Sequence, residues 1–345
     1  GRTIAIDSSG NVYVAGESVS TAYPGISGGA QATHGGTTDI IISKLNSGLT
    51  TLTQSTYLGG ADIERAQAIA IDSSGNVYVA GETASGTYPG VSGGAQSTHG
   101  GTGFADFAIS KLNSGLTTLT QSTFLGGTGI DRAQDIHINS TGYVYVTGDT
   151  ASANYPRVSG GAQSTKSTGT DIAISVLNSG LTTLTQSTFL GGTSTDRAYS
   201  LAIDSLDNIY VAGETASTDY PGVSGGAQST KGAGAGVDMV ISKINSGLTT
   251  LTQSTYLGGS DVDRAQAITI DSSGNVYVAG ETASTNYPGV SGGAQSTKGT
   301  NTSADFAISK LNSGLTTLTQ STYLGGSGID RAQDIHINST GYVYV

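Results

Sequence analysis

Residues 67–82, QAIAIDSSGNVYVAGE, decide the fold. Apolar residues alternate up to Ile71, stop at Asp72-Ser73-Ser74-Gly75, and resume through Val77 and Val79. A period of two on each side of a break is the pattern of two strands joined by a turn. Asp in the first position of the break and Gly in the fourth is the preference of a type I turn. The segment therefore predicts strand A over 67–72 and strand B over 76–82. Further on, DFAISKL at 106–112 predicts strand C, Asn113-Ser114-Gly115 a tight turn, and TTLTQSTFL at 117–125 strand D. Strands B and C are small or apolar on both alternating faces, whereas D is mostly Thr, Gln and Ser. That gradient suits a sheet whose inner strands are buried on two sides and whose outer strand is wet. No stretch sustains a 3.6-residue period, so no helix is expected.

The same unit recurs along the chain. The turn glycine stands at Gly10, Gly75, Gly142, Gly274 and Gly341, with Asp207 in the remaining copy, at spacings of 65, 67, 65, 67 and 67 residues. All 5 prolines hold one repeat position, each after a tyrosine: Pro24, Pro89, Pro156, Pro221 and Pro288. The copies run 1–65, 66–132, 133–197, 198–264 and 265–331, with the start of a sixth over 332–345. Residues 64–146 nearly repeat as 263–345, so the array reads as amplified in triplets. The expected fold is all-β: a β-propeller-like array of four-stranded antiparallel blades, five complete copies plus the start of a sixth. A parallel β-helix, with rungs of about 20–25 residues, fits the period and the tight antiparallel turns poorly. Both ends of the sequence lie inside the repeat pattern, which reads as an excerpt of a longer chain.

The string DFAISKLNSGLTTLTQSTFLGG (106–127), followed by DRAQDIHIN (131–139), TGYVYVTGDT (141–150) and NYP (154–156), resembles the bacterial seven-bladed beta-propeller repeat family. The resemblance implies secreted or cell-surface proteins of bacteria and archaea, mostly without a defined activity, and it supplies no catalytic residues. This chain departs from it in its count, which does not reach seven, and in the uniformity of its copies.

Composition narrows the function classes. Charged residues are only 11% of the chain and the net charge is −11, so nucleic acid is not an expected partner. No apolar run approaches the roughly 20 residues of a membrane span. There is no cysteine, which removes disulfides and thiolate metal sites. Asp72-Ser-Ser-Gly-Asn76 has too few acidic ligands for a calcium loop, and Asn139 and Asn338 replace the Asp in two copies. No cofactor is expected, and stability should not depend on calcium. The 4 histidines, His34, His99, His137 and His336, form no zinc-ligand pair and read as solvated or packed. The Gly-Gly segments read as turns, because none opens a helix. Asn139, Asn301 and Asn338 begin glycosylation triplets, a weak motif.

Three groups remain as candidates. An acid closes strand B and an arginine precedes strand A in every copy: Glu82 with Arg65, Asp149 with Arg132, Glu214 with Arg197, and Glu281 with Arg264. In a propeller both positions emerge on one face, so inter-blade ion pairs are expected. The B-to-C loop, about 20 residues long, is longer than ordinary connections, and such loops often bind. Its tyrosines, Tyr23, Tyr88, Tyr155, Tyr220 and Tyr287, are the candidate contacts for a glycan or protein; the bland alternative is a loop packed by its own Tyr-Pro. Last, Tyr342, Val343, Tyr344 and Val345 form an apolar strand without its own C and D strands, a candidate assembly edge. The leading expectation is a non-catalytic extracellular structural repeat, part of a fibre, surface layer or stalk, whose partners are copies of itself. A loop-face binding module is second and an enzyme third, since equivalent copies offer no unique convergence of unlike groups.

Overall fold

The computed structural model describes residues 1–300 and 303–345. Its first blade comprises β1 (Thr3–Ile6), β2 (Val12–Ser18), β3 (Asp39–Leu45) and β4 (Leu52–Leu58). The second is β5 (Glu64–Ile71), β6 (Val77–Thr83), β7 (Asp106–Leu112) and β8 (Leu119–Leu125). The third is β9 (Asp131–Ile138), β10 (Val144–Thr150), β11 (Asp171–Leu177) and β12 (Leu184–Leu190). The fourth is β13 (Asp196–Ile203), β14 (Ile209–Thr215), β15 (Asp238–Ile244) and β16 (Leu251–Leu257). The fifth is β17 (Asp263–Ile270), β18 (Val276–Thr282), β19 (Asp305–Leu311) and β20 (Leu318–Leu324). A two-stranded ribbon, β21 (His336–Ile337) and β22 (Val343–Tyr344), follows. Each blade is a four-stranded sheet in chain order, and the pairs are antiparallel. There is no helix among the described residues.

Turn chemistry fixes the hairpins. Gly75 N–H donates to Asp72 O at 2.9 Å and Gly75 sits at φ +81°. The Asp72 carboxylate accepts from the Ser74 and Asn76 amides at 2.9 and 2.8 Å. Where the glycine is lost, Asp207 takes φ 61°, a conformation its short polar side chain tolerates. The C-to-D turn lies at Asn113-Ser114-Gly115 as expected, closed by Leu116 N–H donating to Asn113 O at 3.0 Å. The left-handed residue is not in Asn113-Ser114-Gly115 but is the leucine after it: Leu49, Leu116, Leu181, Leu248 and Leu315 all lie at φ 56–57°. Such a backbone costs roughly 1–2 kcal/mol in a non-glycine residue. Four of these leucines are buried, so burial of the side chain, worth about 1.5–3 kcal/mol, offsets the strain.

Strand A also starts earlier than its alternation suggests, at Glu64 rather than Gln67. The register jumps between Ala66 and Ala68, so Gln67 is a bulge that shifts the alternation by one residue. Opposite the bulge, a Cβ on Gly81 would lie 1.9 Å from Arg65 O, which only glycine avoids.

The chain forms two compact units: residues 1–159 with 174–187, and 160–173 with 188–345. In the first, one core joins Tyr13, Ile40 and Ile42 of blade one to Ile69, Val77, Val79 and Leu116 of blade two. In the second, Tyr210, Met239 and Ile241 of blade four pack with Ile268, Val278 and Leu315 of blade five. The apolar core therefore lies between blades, which explains why both faces of strands B and C are buried.

A polar clasp repeats at the same junctions. Tyr13 Oη and Lys44 Nζ donate to Ser114 O of the next blade at 2.7 and 3.0 Å, with the ammonium 5.0 Å above the Tyr13 ring. Ala30 N–H donates to Leu116 O at 2.9 Å. Tyr78 and Lys111 treat Ser179 in the same way, and Ala95 treats Leu181. In the second unit Tyr210 and Lys243 hold Ser313, and Ala227 holds Leu315.

Candidate functional site

The acid–arginine positions form a ladder along each unit. Arg65 and Glu82 are direct cross-strand neighbours, and their Nη1 and Oε1 are 2.9 Å apart. Arg65 Nε also reaches Glu17 of the preceding blade at 3.0 Å, and Arg132 Nε reaches Glu82 at 2.9 Å. Arg132 lies 3.9 Å from Asp149. In the second unit Arg197 meets Glu214 at 3.2 Å, Arg264 bridges Glu214 and Glu281, and Arg331 meets Glu281. Each fully paired acid thus accepts from its own arginine and from that of the next blade. The arginines are about half exposed, so each pair contributes about 0–1 kcal/mol.

The loop tyrosines are a correction. Tyr88, Tyr155, Tyr220 and Tyr287 are buried and Tyr23 is half-buried, so they do not form a loop-face contact surface. Their hydroxyls turn inward: Tyr88 pairs with Ser110 at 2.9 Å, Tyr155 with Ser175 and Tyr287 with Ser309. The Tyr-Pro unit is packing because the long loop folds back onto its own blade. Gly94 shows how closely: a Cβ there would lie 2.3 Å from Ser122 O.

Tyr342, Val343, Tyr344 and Val345, the candidate assembly edge, are exposed. Val343 and Val345 line an apolar cleft of about 400 Å³ with Tyr277, Phe306, Ile308 and Leu324.

In the second A-to-B turn the Asp72 carboxylate is taken up by internal donors. Asp72 Oδ1 takes two backbone amides, while Oδ2 takes Asn76 Nδ2 and Tyr78 Oη and lies 4.0 Å from Lys111. Burial opposes the charge on Asp72, but these donors outweigh it and hold the carboxyl below its usual value. Asn139 spends its Oδ1 the same way on Thr141 and Tyr143, and its side chain is buried. Asn338 repeats that turn, and Asn301 lies outside the described residues. His137 and His336 are exposed on strand A.

One group was not legible in the sequence. The acid before Arg65, Arg132, Arg197 and Arg264 is buried: Glu64, Asp131, Asp196 and Asp263 are all inaccessible to solvent. The acid opening each strand C is buried too, at Asp39, Asp106, Asp171, Asp238 and Asp305. Burial pushes Glu64 up to about 7 against donation from Thr83 and Gly60, and Asp39 and Asp62 add to the rise. Burial likewise raises Asp106, Asp196 and Asp263 to about 6, and raises Asp131, Asp171 and Asp238. The strand-C acid is capped by a glycine amide, as with Gly100 to Asp106 at 2.7 Å. These paired carboxylates could move protons, but they recur at every junction and are closed to solvent. Acid–base chemistry needs a substrate within reach.

In the first unit the loop face carries a polar cleft of about 390 Å³, lined by Asp62, Ala84, Gly86, His99, Gly100, Gly101, Thr102 and Gly103. No group of three or more metal-ligating side chains occurs among the described residues.

The beta-propeller repeat family matches residues 1–24, 55–89, 187–221 and 254–288. The match is to the repeat and carries no blade count. Comparison with curated protein sequences gives no match. Among solved structures, the chain is similar to a protein of unknown function from Dyadobacter fermentans DSM 18053, with 11% identity and a TM-score of 0.48, over 96% of this chain and 84% of that one. A polysaccharide lyase, the PL25 ulvan lyase, gives 12% identity and a TM-score of 0.44, over 95% of this chain and 72% of that one. The NanB sialidase of Streptococcus pneumoniae gives 12% identity and a TM-score of 0.36, over 98% of this chain and 54% of that one.

Proposed function

Because the chain is built of beta-propeller repeats, we propose that it is a non-catalytic structural array, a segment of a fibre, surface layer or stalk outside the cell. The observation that carries this reading is the equivalence of the junctions. A tyrosine–lysine clasp recurs from blade one to two, two to three and four to five, and an interlocked core joins blades one and two and blades four and five. Such arrays lengthen by adding units, with stability set by neighbour contacts. Copies of the chain are its natural partners, since each blade already presents the surface that accepts the next. A second reading, a module binding a glycan or protein at the loop face, is favoured by the polar cleft at His99.

Pulling single molecules by their ends tests the structural reading. It expects a sawtooth in which copies release one at a time, each adding roughly 210–240 Å of contour length for 65–67 residues. Release of the whole chain in one event at low force would overturn it. Tight, saturable binding on a glycan array, abolished by substitutions around the His99 cleft, would favour the second reading.

A further inference from the structure

The outer strand of every blade has a sequence that invites pairing with another chain. LTQST followed by Tyr or Phe and then Leu occupies 52–58, 119–125, 184–190, 251–257 and 318–324, with no charge, no proline and no glycine in any copy. Each of these strands is the last of its sheet, hydrogen-bonded within the sheet on one side only. Uncharged strands of this kind join edge to edge when their ladder is open. Natural edges are commonly blunted by a lysine or a proline, and strand D carries neither.

The B-to-C loop occupies that open side. In the first blade Ser55 N–H donates to Gly25 O at 2.7 Å and Tyr57 N–H to Gln31 O at 3.1 Å. The carbonyls of the same two residues face the same way in an antiparallel strand, and both are taken as well. Gln54 Nε2 donates to Ser55 O at 2.8 Å and to Gly25 O at 2.7 Å, and Thr56 Oγ1 donates to Tyr57 O at 3.0 Å. Blade two repeats the set: Ser122 to Gly90, Phe124 to Gln96, Gln121 to Ser122 O and Thr123 to Phe124 O. The loop pairs recur as Ser187–Arg157 and Phe189–Gln163, Ser254–Gly222 and Tyr256–Gln228, and Ser321–Gly289 and Tyr323–Gln295. The residue that aims the first carbonyl is left-handed throughout, at φ 73–74° in Gly25, Gly90, Gly222 and Gly289 and 62° in Arg157. The geometry is therefore kept where the glycine is not.

We infer that residues 25–31, 90–96, 157–163, 222–228 and 289–295 are straps that close the outer edge of each blade to strand addition by a second chain. The strap ends the ladder instead of passing it on. Its two accepting carbonyls stand six residues apart in sequence yet meet strand-D residues only two apart, so the strap is not itself a strand and offers no new edge. The Gln and Thr of strand D, which read as wet surface, are its fasteners. Strand addition needs free N–H and C=O groups in sequence along an edge, and the middle of strand D has none left. Chains can then meet through other surfaces but not edge to edge, which holds for a stalk and for a binding module alike.

Amide hydrogen exchange read by NMR tests the inference on the wild-type chain. The Ser55, Tyr57, Ser122 and Phe124 amides are expected to exchange as slowly as those of the inner strands, and fast exchange there would overturn it. The double variant G94V/Q121A lifts the second strap, because a Cβ at Gly94 meets Ser122 O and the Gln121 clamp is gone. Exchange at Ser122 and Phe124 is expected to rise about a hundredfold while β6 and β7 stay protected. Light scattering is then expected to show association that grows with concentration. A variant with those amides open that stays as dispersed as the wild type would overturn the inference. A peptide of residues 119–125 flanked by lysines gives a check that needs no variant to fold. The wild-type chain is expected to leave it unbound, and saturable binding of the peptide along a wild-type strand D would contradict the strap.

Discussion

Leu116→Ala is expected to destabilise the protein by about 2–5 kcal/mol, while Leu49→Ala changes stability by less than about 0.5 kcal/mol. The two leucines occupy the same turn position, with the same φ of 56°. They differ in what they touch. Leu116 is buried in the core shared by the first two blades, and its carbonyl accepts from Ala30. Leu49 is 63% exposed. Alanine at either site keeps the left-handed strain and removes only the side chain, so the contrast isolates the value of inter-blade packing. Chemical denaturation of the two variants measures it directly. Equal losses would mean that the leucine serves the turn rather than the junction.

Stability is expected to peak near pH 5 and to fall by several degrees in melting temperature on going to pH 8. Glu64, with its carboxyl at about 7, and Asp106, Asp196 and Asp263, at about 6, bind a proton more tightly in the fold than in the unfolded chain. Their contribution is complete below the unfolded value of about 4 and is lost as pH rises through 6 to 7. Each tenfold change in proton affinity is worth about 1.4 kcal/mol, so these buried groups together are worth on the order of a few kcal/mol. The turn acids Asp7, Asp72, Asp204 and Asp271 have the opposite sign. Their carboxyls are held low by amide donors, so their contribution is present above the ordinary carboxylate range and is lost on strong acidification. The two sets leave an optimum between them. Differential scanning calorimetry from pH 3 to pH 9 tests this; a melting temperature that is flat or rising from pH 5 to pH 8 would refute the buried-acid account.

The blades were readable because their signals are local. The Asp-Ser-Ser-Gly turn carries its own φ requirement, and Asp207 meets it where the glycine is lost. Strand C was read as 106–112, which is where β7 lies. What the sequence hid depends on the neighbouring blade or on a break in period. The bulge at Gln67 shifts the alternation, so the first residues of strand A look like loop. The tyrosine before each proline looks like a surface contact until the loop is seen folded onto its blade. Glu64 and Arg65 are adjacent charges in sequence, yet one is buried beside Thr83 and the other lies in the ladder, because successive strand residues face opposite ways. The loop partner of each buried strand-C acid was hidden because lysine and histidine share its place: Lys231 lies 3.6 Å from Asp238 and His99 3.9 Å from Asp106.

The central claim is that stability resides in the junctions between copies. The most direct measurement is the equilibrium unfolding of nested chains that stop after the second, third, fourth and fifth copies. The account predicts that the unfolding midpoint rises with each added junction and then levels off, as nearest-neighbour coupling requires. A two-copy chain as stable as the five-copy chain would contradict it.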